Sequence, residues 1–279
     1  MNIIFYNVGH GSCCHIITPL NQHILVDVGS KECESIVDHI KNKYDLANID
    51  YLFITHPHED HIFDLPKLFQ KLLPKVLWRP KEAFDIKPKF DWGRHKEIAN
   101  CANEMHHKYT SPISNVDNPL IEYNNGGVHF NLICPPPELC TKDDLNTFSP
   151  IIIVAYGNYK FVLTGDNTKK TLERMIETDH QDICQKIQNS TVLLAPHHGR
   201  SNEFCDQFFK IANPLLTVIS DKNIDHSTQE ESSFLYRGRG ANINNSTRYV
   251  LTTRVDGTIS FNLSAINDSL NVAFNSEGY

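Results

Sequence analysis

Thr55-His56-Pro57-His58-Glu59-Asp60-His61 places three histidines and an aspartate within six positions, in the order His-x-His-x-Asp-His. The apolar run at 51–54 before it reads as a buried strand, so these polar side chains fall where a strand leaves the core. Ligands at that point reach a cleft without disturbing the packing beneath them. His56 and His58, two apart, face the same side of an extended backbone. Asp60 and His61 address a neighbouring point. Imidazole suits a borderline ion such as zinc and carboxylate a harder one, so the stretch predicts two divalent metal ions held close together.

The rest of the chain is arranged around that loop. Residues 2–8, 13–18 and 23–28 are short β-rich runs, separated by Gly9-His10-Gly11-Ser12 and Pro19-Leu20-Asn21. Residues 31–43 have helical spacing, with Ile36, Val37 and Ile40 on one face. Residues 62–73 form an amphipathic helix with Pro66 in its first turn. The order strand, ligand loop, helix puts the ligands at a strand's carboxyl end, where α/β folds place their sites.

The second half repeats this logic. Residues 128–134 form a strand stopped by Pro135-Pro136-Pro137. Residues 150–156 and 159–164 pair around Gly157-Asn158 and deliver Gly165-Asp166. A strand at 191–195 delivers Pro196-His197-His198-Gly199. Helices are expected at 168–177, from 182 and at 202–211, with helical residues near 228–236. Strands are expected at 215–220, 248–253 and 258–263. Two β-rich halves with outer helices predict an α/β protein, a four-layer α/β/β/α sandwich. It spans 1–279 as one domain, since no linker divides it.

Residues 74–125 read as an irregular insertion lying over the site as a lid or substrate wall. Between 75 and 96 there are seven Lys or Arg and three Asp or Glu, interleaved with Trp78, Phe84, Phe90 and Trp92. Lys87 and Lys89 are its candidate substrate contacts. A solvated loop with tucked aromatics is the simpler account of the same pattern.

Four further positions carry chemistry. Asp166 follows an apolar strand and a turn glycine, so its two oxygens can bridge two ions; alone it would equally suit a helix cap. Of His197 and His198, one imidazole can complete a metal shell while the other donates to a leaving group or binds phosphate. His197 is favoured as the ligand, His198 as the catalytic group, and Arg200 as a substrate contact. Asp27 ends a strand and is placed to accept the second N–H of a metal-bound imidazole. His226 can reach the cleft as a catalytic acid or a ligand, and His10 can line it. Asp60 can also orient the attacking water. No nucleophile elbow, Walker loop or dinucleotide fingerprint is present. Water activated by the metals is therefore the expected nucleophile.

Composition narrows the partners. The chain has 279 residues, 40% of them apolar, and a net charge of −7, so no global basic field recruits nucleic acid. Its eight cysteines lack C-x-x-C pairs. With no secretory signal, they predict reduced thiols and a cytoplasmic location. No apolar run approaches the roughly 20 residues that span a bilayer, so no membrane association is expected.

The motifs together resemble the metallo-β-lactamase-fold superfamily, and most closely the hydrolase domain of ComEC-type competence proteins and their stand-alone relatives. Residues 55–61 match the superfamily signature. Asn7-Val8-Gly9-His10-Gly11-Ser12, Val26-Asp27-Val28-Gly29 and Asn146-Thr147-Phe148-Ser149 resemble that group's motifs. So do Leu163-Thr164-Gly165-Asp166, Ala195-Pro196-His197-His198-Gly199-Arg200-Ser201 and the closing strands at 251–259. The resemblance implies a metallo-β-lactamase sandwich with His56, His58, Asp60, His61, Asp166 and His197 on two metals, zinc or manganese, and Asp27 behind them. Asn146 stands near where many members carry a third histidine, which marks it as a group behind the ligands and one metal site as weaker. The implied activity is metal-dependent hydrolysis, with a phosphodiesterase or nuclease favoured and a nucleic acid or nucleotide as substrate. A small-molecule hydrolase for cyclic nucleotides, lactones or other esters is the alternative, as is a binding module with a vestigial site.

Overall fold

Alternation along each strand decides which of two faces a side chain joins, and the chain uses both. The computed structural model describes residues 1–29, 34–85, 95–223 and 227–275. Its strands are β1 (Asn2–Phe5), β2 (Cys14–Ile17), β3 (His23–Val26), β4 (Ile49–Phe53), β5 (Pro74–Trp78), β6 (His129–Ile133), β7 (Ile151–Tyr156), β8 (Tyr159–Leu163), β9 (Val192–Leu194), β10 (Leu216–Ile219), β11 (Ala241–Ile243), β12 (Ser246–Arg248), β13 (Val250–Thr252), β14 (Thr258–Ser264) and β15 (Ser269–Asn275). Its α-helices are α1 (Ile36–Tyr44), α2 (Glu59–Ile62), α3 (Leu65–Lys71), α4 (Lys81–Asp85), α5 (Lys96–Lys108), α6 (Lys169–Thr178), α7 (His180–Ile187), α8 (Asp206–Ala212), α9 (Ser232–Leu235) and α10 (Thr253–Asp256).

One sheet has the order β15-β14-β1-β2-β3-β4-β5, and the other β13-β10-β9-β8-β7-β6. Ile3, Phe5, Ile24, Val26 and Phe53 of the first meet Ile152, Val154, Phe161, Leu163, Val192 and Leu194 of the second in one buried cluster. Neighbours in the strands point the other way. Ile4, Leu25 and Leu52 pack under α1, α3 and α5, while Ile153, Val162 and Leu193 pack under α6, α7 and α8. Full burial of each such side chain contributes about 1.5–3 kcal/mol. The layers are helix, sheet, sheet, helix, as the sequence predicts. Ser35 and Thr168 start α1 and α6 by accepting from Asp38 N and Thr171 N.

The stretch at 74–125 departs from the expectation of an irregular insertion. Val76 and Leu77 of β5 register parallel against Tyr51 and Leu52 of β4. Ile98, Cys101, Ala102 and Met105 give α5 a buried stripe at helical spacing. The β11–β12 hairpin, turning at Asn244 and Asn245 with positive φ, and the edge strand β15 were not anticipated. None of the described helices is long and apolar enough to cross a membrane.

A polar chain lies in the core away from the ligand loop. Tyr6 Oη pairs with His15 Nδ1 at 3.2 Å, and His15 Nε2 with His23 Nδ1 at 3.0 Å. Burial, then the nearby His23, holds His15 far below its usual imidazole value. The unfolded chain therefore takes up this proton first as pH falls. Stability that is complete above about pH 6.5 declines below it, by up to about 1.4 kcal/mol per pH unit for this one group. Urea midpoints at pH 7.5 and 5.5 should show the loss, and His15→Phe should flatten it. An equally steep profile in the variant would remove His15 as its source.

Candidate metal centre

Parallel pairing of β3 with β4 sets Val26 against Phe53, which brings Asp27 beside Thr55 just beyond the strand ends. Thr55 N donates to Asp27 Oδ1 and Thr55 Oγ1 to Asp27 Oδ2, both at 2.8 Å. His61 Nδ1 donates to Asp27 Oδ2 at 2.8 Å. This fixes the ring so that Nε2 faces the cleft. The ligand loop itself rests on bare backbone. Ser12 N donates to Asp60 O at 3.0 Å, and Val28 N to His61 O at 2.8 Å. A Cβ on Gly29 would stand 1.8 Å from Asp60 O, and one on Gly11 2.7 Å from it. Glycine at 29 is therefore what lets the loop settle.

The second sheet supplies the opposing ligands. Gly165, at φ +54 and tight against Ser149 and Thr55, turns the chain at the end of β8 and aims Asp166 inward. After β9 the backbone passes through His197 at φ 47 and His198 at φ 54. His198 Nδ1 donates to the carbonyl of Ser220 at 2.7 Å, leaving Nε2 to face the carboxylates.

Four ligand atoms, one each from Asp60, His61, Asp166 and His198, lie within 4.8 Å of one another. His61 Nε2 is 3.1 Å from Asp166 Oδ1. His198 Nε2 is 3.2 Å from Asp60 Oδ2 and 3.6 Å from Asp166 Oδ2. On the other side of Asp166, His56 Nε2 stands 3.9 Å from Oδ2 and shares a hydrogen bond of 2.9 Å with His58 Nδ1. Ser149 Oγ meets His56 Nδ1 at 3.2 Å and accepts from Asp166 N at 3.3 Å.

The electrostatics call for a cation. Burial opposes charge on Asp60 and Asp166, yet His61 and His198 hold both carboxyls far below the usual range. Burial likewise opposes a proton on His61, but Asp166, Asp27 and Asp60 together raise it well above normal. His61 Nε2 is buried and close to Asp166, yet has no hydrogen bond of acceptable geometry. With its Nδ1–H committed to Ser220, His198 meets Asp60 Oδ2 through Nε2 at 3.2 Å. Burial opposes a proton there, but Asp166 and Asp60 raise it above its usual value, so the group holds positive charge, from a proton or a metal ion, between ring and carboxylates. This donor set, two imidazoles and two carboxylates around one point, fits a divalent metal such as zinc or manganese. His56 and His58 add two more imidazoles beyond Asp166.

His56, His58, Asp60, His61 and Asp166 converge as expected, and Asp27 sits behind His61 as expected. Of the two adjacent histidines, His198 lies within the four-ligand group, while His197 Nε2 stands 3.9 Å from Asp166 Oδ2, as far as His56 Nε2, with its side chain one-fifth exposed. Successive left-handed residues turn the second ring inward, so the geometry favours His198 as the ligand-type group where His197 was expected. Among the described residues, no hydrogen bond joins the Asn146 side chain to a ligand. Its Oδ1 is buried without a hydrogen-bond partner, and its carbonyl accepts from Ser149 N, so it shapes the turn that presents Ser149. Arg200 directly follows the histidine turn, and its charge helps depress His197 after burial has done so. His226, Lys87 and Lys89 lie outside the described residues.

Sequence reasoning passed over Ser149 and Thr55, although both stand in the motifs it used. His10 proves closer than its turn suggested: Nε2 is 3.4 Å from Asp60 Oδ2, and its ring is 4.9 Å from that of His198. Burial, then His198, pushes it down to about 4.

A buried His/Asp group at the shared end of a four-layer αββα sandwich defines the metallo-β-lactamase fold. Residues 8–130 match the family model of the metallo-beta-lactamase superfamily. A 112-residue stretch, 39% of this chain, is 29% identical to a metal-dependent hydrolase of Koribacter versatilis and spans 42% of that protein. CmlA, a diiron β-hydroxylase of Streptomyces venezuelae, aligns over 94% of this chain and 54% of its own, with TM-score 0.52 and 14% identity, a likeness of fold alone. The metallo-beta-lactamase fold protein YhfI of Bacillus subtilis covers 93% of this chain and 99% of its own, with TM-score 0.48 and 13% identity. The chain thus shares the sandwich fold with CmlA, and residues 8–130 resemble the metallo-beta-lactamase superfamily.

Proposed function

We propose that this chain is a metal-dependent hydrolase that cleaves phosphodiesters. The observation that carries this reading is the buried group Asp60, His61, Asp166 and His198, with His56 and His58 adjoining it across Asp166. These six side chains would hold one or two divalent ions, zinc or manganese. A bound ion there supplies Lewis acidity and lowers the pKa of a water molecule toward neutrality. The protein's own contribution is rigidity: Asp27, Ser220 and Ser149 fix the rings of His61, His198 and His56. Arg200, directly after the histidine turn, adds positive charge near His197. A cation beside the group suits an anionic diester. His10, kept neutral and partly exposed beside Asp60, is placed to exchange a proton with substrate.

The nuclease form of the proposal needs a basic track for a strand, which Lys87 and Lys89 would supply. The closer grouping with ComEC-type hydrolase domains rests on the motifs at 163–166 and 195–201. The test is metal analysis together with turnover of bis-p-nitrophenyl phosphate, single-stranded DNA and RNA, each with zinc and with manganese. Diester cleavage that disappears on chelation is expected. Metal-loaded protein that leaves all three intact while opening a lactone or carboxylic ester would overturn the reading.

A further inference from the structure

A cavity of about 840 Å3, walled by Trp78, Pro136, Pro137, Phe148, Cys134 and Cys140, contains none of the ligands but is connected to the His56–His58 edge through its wall. Its volume is that of a pocket for one small organic group. Three links tie it to the ligands. Phe148 precedes Ser149, whose Oγ is 3.2 Å from His56 Nδ1. Trp78 O accepts from Ile54 N at 2.9 Å, two residues before His56. Asp144, in the loop between Cys140 and Phe148, acts electrostatically on His58.

Two of the five charged side chains on the wall are tied to His106. Arg79 is buried, with Nε donating to His106 Nδ1 at 3.1 Å and Nη2 to His106 O at 2.6 Å. Asp85 pairs with the same imidazole at 3.0 Å. Lys81, Glu82 and Lys142 are left among the described lining residues, a net charge of +1. A polynucleotide would need a cation for each phosphate it laid along this wall. An aromatic ring needs only apolar surface and a ring to stack on, and Trp78 and Phe148 provide both.

We propose that this cavity binds an aromatic or branched apolar arm of a small diester whose phosphate sits at the metal group. The proposal rests on the hydrolase reading for what happens to the diester, but not for binding of the arm. It makes the cavity the specificity-determining part of the site and the substrate a small molecule rather than a strand.

The test uses the full chain carrying Trp92→Phe, so that Trp78 is the remaining tryptophan. Metal-free protein is titrated with bis-p-nitrophenyl phosphate and with dimethyl phosphate, and Trp78 fluorescence is read. The nitrophenyl diester should quench it saturably, and dimethyl phosphate should not. Cys134→Phe and Lys142→Phe each fill the cavity from an exposed position, and either should weaken the nitrophenyl diester at least tenfold. Unfolding midpoints show whether each variant folds, and one folded variant suffices. With metal restored, KM should rise in step with Kd. Equal Kd in wild type and folded variants, or equal quenching by dimethyl phosphate, would overturn the proposal. If the loaded protein hydrolyses nothing while the binding pattern stands, the hydrolase reading falls and the pocket stands. If hydrolysis holds but the variants match wild type, the pocket falls alone.

Discussion

Asp166→Ala should abolish metal-dependent hydrolysis, by at least about 10³-fold in kcat/KM, or about 4 kcal/mol of transition-state stabilisation. Asp166 is the residue both halves of the site share. Oδ1 is 3.1 Å from His61, and Oδ2 faces His198 at 3.6 Å and His56 at 3.9 Å. No other described carboxylate reaches His56 and His61 together within 4 Å. Metal content should fall with the activity, which separates a lost ligand from a lost proton carrier. Metal-free protein should also be less stable. Removing one partner of a buried ion pair costs roughly 3–5 kcal/mol, and the lower end is expected because Asp27 still holds His61. Asp166→Asn keeps the shape and should recover part of the stability but not the metal. A variant with wild-type metal content and turnover would refute the assignment.

The second large effect separates two neighbours in sequence. His198→Ala should weaken metal binding by more than about 100-fold, beyond the 10–100-fold usual for a residue behind a ligand. His197→Ala should change metal affinity less than about tenfold. Competition with a chelating dye reads this directly, without any substrate. Ser220 supports the asymmetry: its carbonyl fixes the His198 ring, while His197 Nδ1 is buried with no hydrogen-bond partner. Equal losses in the two variants, or a larger loss at His197, would reverse the assignment.

What sequence could reveal follows from how each ligand is held. His56, His58, Asp60 and His61 stand in one short segment after an apolar strand, so type and spacing expose them. Asp166 is announced by the strand and glycine before it. The choice between His197 and His198 depends on two successive left-handed backbone conformations. Gly199 hints at a turn there, but nothing local says which ring goes inward. Ser149 was hidden for a related reason: a serine is common in turns, and only the contact it makes with His56 from just before β7 gives it a role. The helix α5 was legible and was missed. Ile98, Cys101, Ala102 and Met105 follow helical spacing, but the basic and aromatic residues just before them made the whole stretch read as a loop. The layers were easier, because β1, β3, β8 and β9 are short apolar runs bounded by turn residues, and strands buried on both faces must lie between a second sheet and helices.

Asp60 and His61 hang from the first sheet, and Asp166 and His198 from the second. An ion shared by all four is therefore also a clasp between two halves of the molecule. Any ligand that binds only the folded chain adds RT ln(1 + [L]/Kd) to its stability, about 2.7 kcal/mol at a hundredfold excess over Kd. Here that increment acts across the sandwich rather than within one loop. An ion held there would thus govern how tightly the two sheets are held together, and metal supply would set the protein's lifetime as well as any turnover.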